Sequence, residues 1–376
     1  MAAIMAAIME ITENIMRRMR EPSTKLHNAL YFMSGMMVVI LALVIVAGVK
    51  TKAENAGFRI ADDTENSYEQ QVAGQTDTTQ DSGQEKWQEG VVAYQGKEYL
   101  YNTDIKTYLM MGVDINGPVQ QSSDYTQGGQ SDALFLLVVN NKTEQLQVIS
   151  INRNTMADIE LCDEEGIDMG PLKTQICLQH AFGDGKRLSC SKTVDAVSGL
   201  FQNIPISGYL AMNMGGIPRM NDAVGGVEVT VLQDISFPKA GVDLKKGKKV
   251  TLDGTQAYYY LHGRDTEEYD SATKRLQREE QYIVAYMDKL KKVSTENPDQ
   301  VTEIYNSVSD YLVTSVDFTS MIEQLMNYSF SEDQMYTVPG KTVEGKPIDG
   351  KRYEEYHVDE DAMEELIMKV FYTPVQ

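Results

Sequence analysis

The run from Leu30 to Val49, LYFMSGMMVVILALVIVAGV, carries no charge and has about twenty residues, the length at which a helix crosses a bilayer with its backbone groups bonded within itself. The segment before it is long, the apolar run exceeds the h-region of a signal peptide, and no A-x-A site follows it, so an uncleaved anchor is expected rather than a removed leader. Arg17, Arg18, Arg20 and Lys25 precede the run and only Lys50 and Lys52 follow it closely, which places the N-terminus in the cytoplasm and the body outside. The expected division is a cytoplasmic segment over 1–29, a transmembrane helix over 30–49, a polar stalk over 50–90 and an extracellular domain over 91–376.

The stalk reading rests on QQVAGQTDTTQDSGQEK, which has too few apolar residues to form a core. With a formal net charge of −21 and a pI near 4.6, the chain lacks the basic face that counterion-release binding requires, and nucleic acid is excluded as a general partner. Any anionic ligand must be held by a local cluster of cations. The three cysteines, Cys162, Cys177 and Cys190, show no zinc spacing. Outside the membrane a disulfide is permitted, so a Cys177–Cys190 bridge with one thiol left over stands beside the alternative of three small buried side chains.

From Val91 onward the pattern becomes that of a folded domain. TYLMMGV, ALFLLVV and LQVISIN are near-continuous apolar runs of strand length, as expected of a sheet covered on both faces, and the polar NNKTEQ between the last two suits a hairpin turn. Helical spacing follows in SKTVDAVSGLF after a cap at Ser191 and in GTQAYYYLHG after Asp253. It recurs in the long segment from Asp270, in VTEIYNSVSDYL, in TSMIEQLMNY and in EDAMEELIMKVFY, with VPGKTVEGKPIDGK read as a loop before the last. One α/β domain with a mixed central sheet accounts for this alternation.

Three stretches could carry chemistry. In MGVDINGP and GGQSDALFLLVV, Asp114 follows one strand and Asp132 opens the next, so two hard oxygen ligands can meet at a sheet edge and hold Mg²⁺ together with phosphate oxygens, or each can merely cap a turn. In SINRNT, Arg153 closes an apolar strand and offers a planar fork suited to phosphate or to a surface ion pair. In GRDTEEYDSATKRLQREEQYI, Arg264, Arg275 and Arg278 gather beside a helix start, with Leu276, Ile283, Met287 and Leu290 on another stripe. The bland reading of this last stretch is a solvated face with an Arg275–Glu279 pair one turn apart.

In combination, the ordered set GxD, SDA, IxRxT, VGGVEV, DGxQAxxY, GRD and RxxR resembles the LytR-CpsA-Psr family across Met110 to Ile283, with LQHAFGDG and MNDAVGGVEVTV included. The resemblance implies a three-layer α/β/α domain, anchored by one N-terminal helix outside a Gram-positive-type bacterium. It also implies a phosphotransferase that moves a glycopolymer, such as teichoic acid or capsule, from a polyprenyl-pyrophosphate carrier to peptidoglycan. In that reading Asp114 and Asp132 organise Mg²⁺, Arg153, Arg264, Arg275 and Arg278 hold the pyrophosphate, and Asp132 or Asp270 assists deprotonation of the acceptor hydroxyl. The chain departs from the family at Gln130, Asn154, His262 and Glu279–Glu280. Those departures keep two other readings in view, a polyprenyl-pyrophosphate phosphatase and a noncatalytic binder of lipid-linked glycan.

Overall fold

The three apolar runs form the centre of the molecule. A computed structural model describes residues 91–375 apart from 265–267, 317–326 and 347–352. The expected cytoplasmic segment, transmembrane helix and stalk, with most of TSMIEQLMNY, lie outside the described residues, and no helix among those described is long and apolar enough to cross a membrane.

Strands β1 (Ile105–Val113), β2 (Ser131–Asn140) and β3 (Gln145–Ile151) pair antiparallel in succession. The β2–β3 turn closes where the polar hexapeptide predicts: Asn140 Oδ1 accepts from the amides of Lys142 and Thr143, each at 3.0 Å, and Glu144 takes a φ of 52°. Strand β4 (Gly208–Asn213) lies parallel to β1, β5 (Leu312–Thr314) antiparallel to β4, and β6 (Met335–Thr337) parallel to β3. The sheet order is therefore β5-β4-β1-β2-β3-β6, a mixed sheet as expected. Leu109, Leu134, Leu136, Val139, Val148 and Ile149 are completely buried, which is why these runs show no polar alternation.

Helices α1 (Arg187–Leu200), α2 (Ile217–Ala223), α3 (Gly254–His262) and α4 (Ser271–Glu296) follow. The start of α3 obeys the sequence signal: Asp253 Oδ1 accepts from Gln256 N at 2.8 Å and Gln256 Oε1 accepts from Asp253 N at 3.1 Å. The start of α1 does not. Ser191 lies inside the helix, because Asp184 Oδ1 accepts from the amides of Lys186, Leu188 and Ser189 and captures its first turn upstream. The expected loop VPGKTVEGKPIDGK also contains a strand, Gly340–Glu344, paired antiparallel with Glu354–Val358. Its glycines and two prolines read as a loop, whereas the ladder comes from a partner further along the chain.

The topology gathers one end of the sheet into a single region. Because β1 and β2 are antiparallel, the end of β1 lies beside the start of β2, and the end of β3 returns to the same edge. At this edge Gly112 opposes Ala133 while Val113 opposes Ser131, which leaves Asp132 as the extra residue of a bulge. A bulge re-aims the side chain it carries. The loop after β1 is held against β4: Asn213 Nδ2 donates to Gly117 O at 2.8 Å, and a Cβ on Gly215 would stand 1.8 Å from Asn116 O. Backbone fills the place a side chain would need.

Gly215→Ala should therefore lower stability to urea by about 1–3 kcal/mol by displacing this loop. Gly199→Ala in α1, where a Cβ meets nothing within 4 Å, should instead raise it by about 0.5–1 kcal/mol. A Gly215→Ala protein as stable as the parent would mean the loop tolerates a different path.

Candidate functional site

The edge formed by β1, β2 and β3 carries the residues singled out in the sequence. Asp114 stands just past β1, Asp132 on the bulge of β2, and Arg153 in the turn after β3. That turn is built locally: Thr155 N donates to Asn152 O at 2.9 Å, and Asn152 Oδ1 accepts from Asn154 N at 2.9 Å. Arg275 reaches the same point from the second turn of α4.

Asp132 is the hub. Arg153 Nε approaches its Oδ1 at 2.8 Å, Arg275 Nη1 donates to its Oδ2 at 3.0 Å, and Arg275 Nη2 donates to its backbone oxygen at 2.9 Å. Asp114 Oδ1 accepts from Gln130 N at 2.6 Å, and Gln130 Oε1 in turn accepts from Arg153 Nη2. The other neighbour of Arg153 Nη2 is Cys177 Sγ at 3.1 Å. The Arg275–Glu279 pair does form, Nε to Oε1 at 3.3 Å, but both side chains are about 2% exposed or less, so the face is buried rather than solvated.

Arg264 is different. It is only partly covered, its one described side-chain hydrogen bond is a long one to Ser271 Oγ at 3.4 Å, and it has no carboxylate partner among the described residues. Burial and the neighbouring Arg275 and Arg153 lower its pKa to about 10, against the pull of Asp132.

The other titrations agree. Burial alone would raise Asp132, but Arg153, Arg275 and Arg264 overcome it and hold the carboxyl below its usual range. Asp114 is pushed up to about 7, by burial first and then by the charge on Asp132. Glu279 is pushed up to about 8 by burial, with Arg275 and Arg278 opposing and Asp132 adding to the rise.

Several other expected site residues have partners of their own. Arg278 is buried, and its three nitrogens donate to Tyr260 O at 2.6 Å, to Gly263 O and to Gln233 Oε1, so it ties the end of α3 to α4. Asp270 begins α4 with a φ of 60°, accepts from Thr342 Oγ1 at 2.5 Å and donates its N–H to Glu354 Oε1 at 2.6 Å. The Gly340–Glu344 hairpin thus braces the helix that carries Arg275. Asn154 Oδ1 accepts from Gln175 Nε2 at 3.2 Å, and His262 is buried against the Tyr258 ring. The Cys177–Cys190 bridge is not formed: all three cysteines are free and buried, Cys177 facing Arg153 and Cys190 facing His180 Nε2 at 3.7 Å. The two thiols belong to different neighbourhoods, which spacing could not reveal.

The sequence missed Cys177 and Gln130 as partners of Arg153, and no pattern announces either. Glu279 had a signal, its position one turn after Arg275.

The Glu279 shift has a measurable consequence. Between about 4.5 and 8 the folded state keeps a proton that the unfolded state has released, so stability falls as pH rises through that window. Glu279→Gln keeps an acceptor for Arg275 and should gain stability relative to the parent at pH 8.5 but not at pH 4. Parallel stability-versus-pH curves for the two proteins would show that Glu279 does not titrate in this window.

Residues 63–370 match the LytR_cpsA_psr family. A polyisoprenyl-teichoic acid–peptidoglycan teichoic acid transferase TagU from Enterococcus faecalis is 30% identical over 231 residues, 61% of this chain and 67% of that protein. Across other curated relatives the matched segment spans as little as 43% of their length. Among solved structures, TagV of B. subtilis superposes with a TM-score of 0.54 at 21% identity, covering 72% of this chain and 96% of that one. TagT bound to LI-WTA superposes with a TM-score of 0.50 at 20% identity, covering 71% and 90%. At such identities the structural likeness is one of fold. The family match spans most of the chain and includes every residue around Asp132, and on that ground the chain belongs to the LytR_cpsA_psr family.

Proposed function

We propose that this protein is a membrane-anchored phosphotransferase that moves a glycopolymer from a polyprenyl-pyrophosphate carrier to peptidoglycan, with its body on the outer face of the membrane. The observation that carries the reading is the charge balance at Asp132: three guanidiniums converge on one carboxylate, and the most accessible of them, Arg264, lacks a carboxylate partner among the described residues. A pyrophosphate would set negative charge beside these guanidiniums. The transferase named among the relatives, and the neighbour named as bound to LI-WTA, support a lipid-linked teichoic acid or similar polymer as its source.

Arg264 and the exposed edge of Arg153 would hold the phosphates, giving charge-assisted hydrogen bonds where negative charge grows on the leaving group, while the buried Arg275 holds Asp132 behind them. The Asp132 ion pairs fix the two deeper guanidiniums before substrate arrives, so little reorganisation is needed. Asp114 and Asp132 fit a hard divalent cation. Each crowds the other's charge, Asp114 rising to about 7 in part because of Asp132, and a cation shared by both would relieve that repulsion. No group of three such ligands converges among the described residues, so the remaining positions would fall to phosphate oxygens and water. Bound there, Mg²⁺ would neutralise the pyrophosphate.

Asp132 is a poor general base, since two guanidiniums hold its carboxyl ionised and low. Asp270 remains the candidate to receive the acceptor hydroxyl's proton, half-buried at the start of α4 and oriented by Thr342 and Glu354.

The test uses the full chain in detergent with a polyprenyl-pyrophosphate oligosaccharide, peptidoglycan fragments and Mg²⁺. A phosphodiester-linked glycan on peptidoglycan is expected, with kcat/KM falling by about 10²-fold or more in Arg264→Ala. Release of phosphate without transfer would make the protein a phosphatase. Binding with neither outcome would make it a holder of lipid-linked glycan.

A further inference from the structure

His180 is buried to within 1% and sits in the short 3-10 turn Ile176–Ala181, apart from the arginines. Its ring lies between two sets of partners. Nδ1 stands 3.1 Å from Gly128 O and 3.0 Å from Gly129 O, while Nε2 faces Cys190 Sγ at 3.7 Å. Two carbonyls can only accept, so Nδ1 carries the proton and Nε2 presents a lone pair. Burial keeps the Cys190 thiol protonated and lowers His180, so the S–H can donate to a neutral ring.

The two carbonyls belong to the residues immediately before Gln130. Gly129 takes a φ of +81°, and Gly128 is packed so closely that an added Cβ would stand 2.7 Å from His180 O. Gln130 then makes three contacts with the site: its N–H donates to Asp114 Oδ1 at 2.6 Å, its O accepts from Asp114 N at 3.0 Å, and its side-chain oxygen accepts from Arg153 Nη2. Asp132 follows two residues later.

We propose that His180 is a positioning residue: its Nδ1–H clamps the Gly128 and Gly129 carbonyls and thereby fixes Gln130, the Asp114 carboxylate and the Arg153 guanidinium in their working arrangement. Cys190 belongs to the same device, setting the tautomer from the far side of the ring. The consequence for catalysis rests on the transfer reading above, whereas the clamp itself does not.

Asparagine can place an amide N–H where Nδ1 stands, and glutamine places it nearer Nε2. The experiment compares the full-length parent, His180→Asn and His180→Gln by hydrogen exchange of the peptide over 128–132, by thermal melting, and by transfer kinetics. In His180→Gln the peptide should exchange about tenfold faster, the strength of roughly one lost hydrogen bond, and kcat should fall with KM little changed. His180→Asn should stay close to the parent in both. In the parent, ¹⁵N-histidine spectra, with only four histidines to resolve, should show one buried ring protonated at Nδ1 and neutral near pH 7. Equal behaviour of the two variants, unchanged exchange in both, or a ring protonated at Nε2 would overturn the proposal. If neither variant folds, the parent tautomer still decides. A parent without transfer activity would count against the phosphotransferase alone, because exchange and tautomer report the clamp directly.

Discussion

The arrangement around the site depends on one buried carboxylate. Asp132 joins a bulge on β2, a turn after β3 and the second turn of α4, through Arg153 at 2.8 Å and Arg275 at 3.0 Å. Such pairs add little net stability, because removing the charges from water costs about what their attraction returns. Losing one partner is another matter, since an uncompensated buried charge costs about 3–5 kcal/mol. The interaction therefore fixes geometry more than it stabilises the fold. It holds two guanidiniums at set positions at the end of the sheet, where the strand order brings Asp114 as well.

Much of the scaffold was legible because it follows from local pattern. The three apolar runs of β1, β2 and β3, the hairpin turn at Asn140 and the capping box at Asp253 all declare themselves through hydrophobicity or side-chain chemistry within a few residues. What failed depended on partners the local pattern did not single out. The Gly340–Glu344 strand exists because Glu354–Val358 pairs with it, and the start of α1 moved because Asp184 captures it before Ser191 can. The span expected over Leu30 to Val49 lies outside the described residues.

The site was legible in its charged residues and not in their roles. Asp114, Asp132, Arg153 and Arg275 meet as their motifs imply, but RxxR gives Arg275 and Arg278 the same appearance and the structure gives them different work. Arg278 spends its donors on backbone oxygens at the end of α3. Gln130, which reads as the loss of a cation, accepts from Arg153 and so orients one that remains. Glu279 supplies a second negative charge beside Arg275 only once pH rises towards 8. Below that the described residues of the cluster hold more guanidiniums than ionised carboxylates, and Arg264 is the least buried of those around Asp132.

The measurement that tests the account most directly is calorimetric titration of inorganic pyrophosphate into the full chain, with and without Mg²⁺, for the parent and for Arg264→Ala. The account predicts one bound pyrophosphate per chain and an affinity at least about tenfold weaker in the variant, equivalent to about 1.4 kcal/mol. An absence of binding in the parent, or the same affinity in both proteins, would contradict the claim that this cluster of guanidiniums is an anion site.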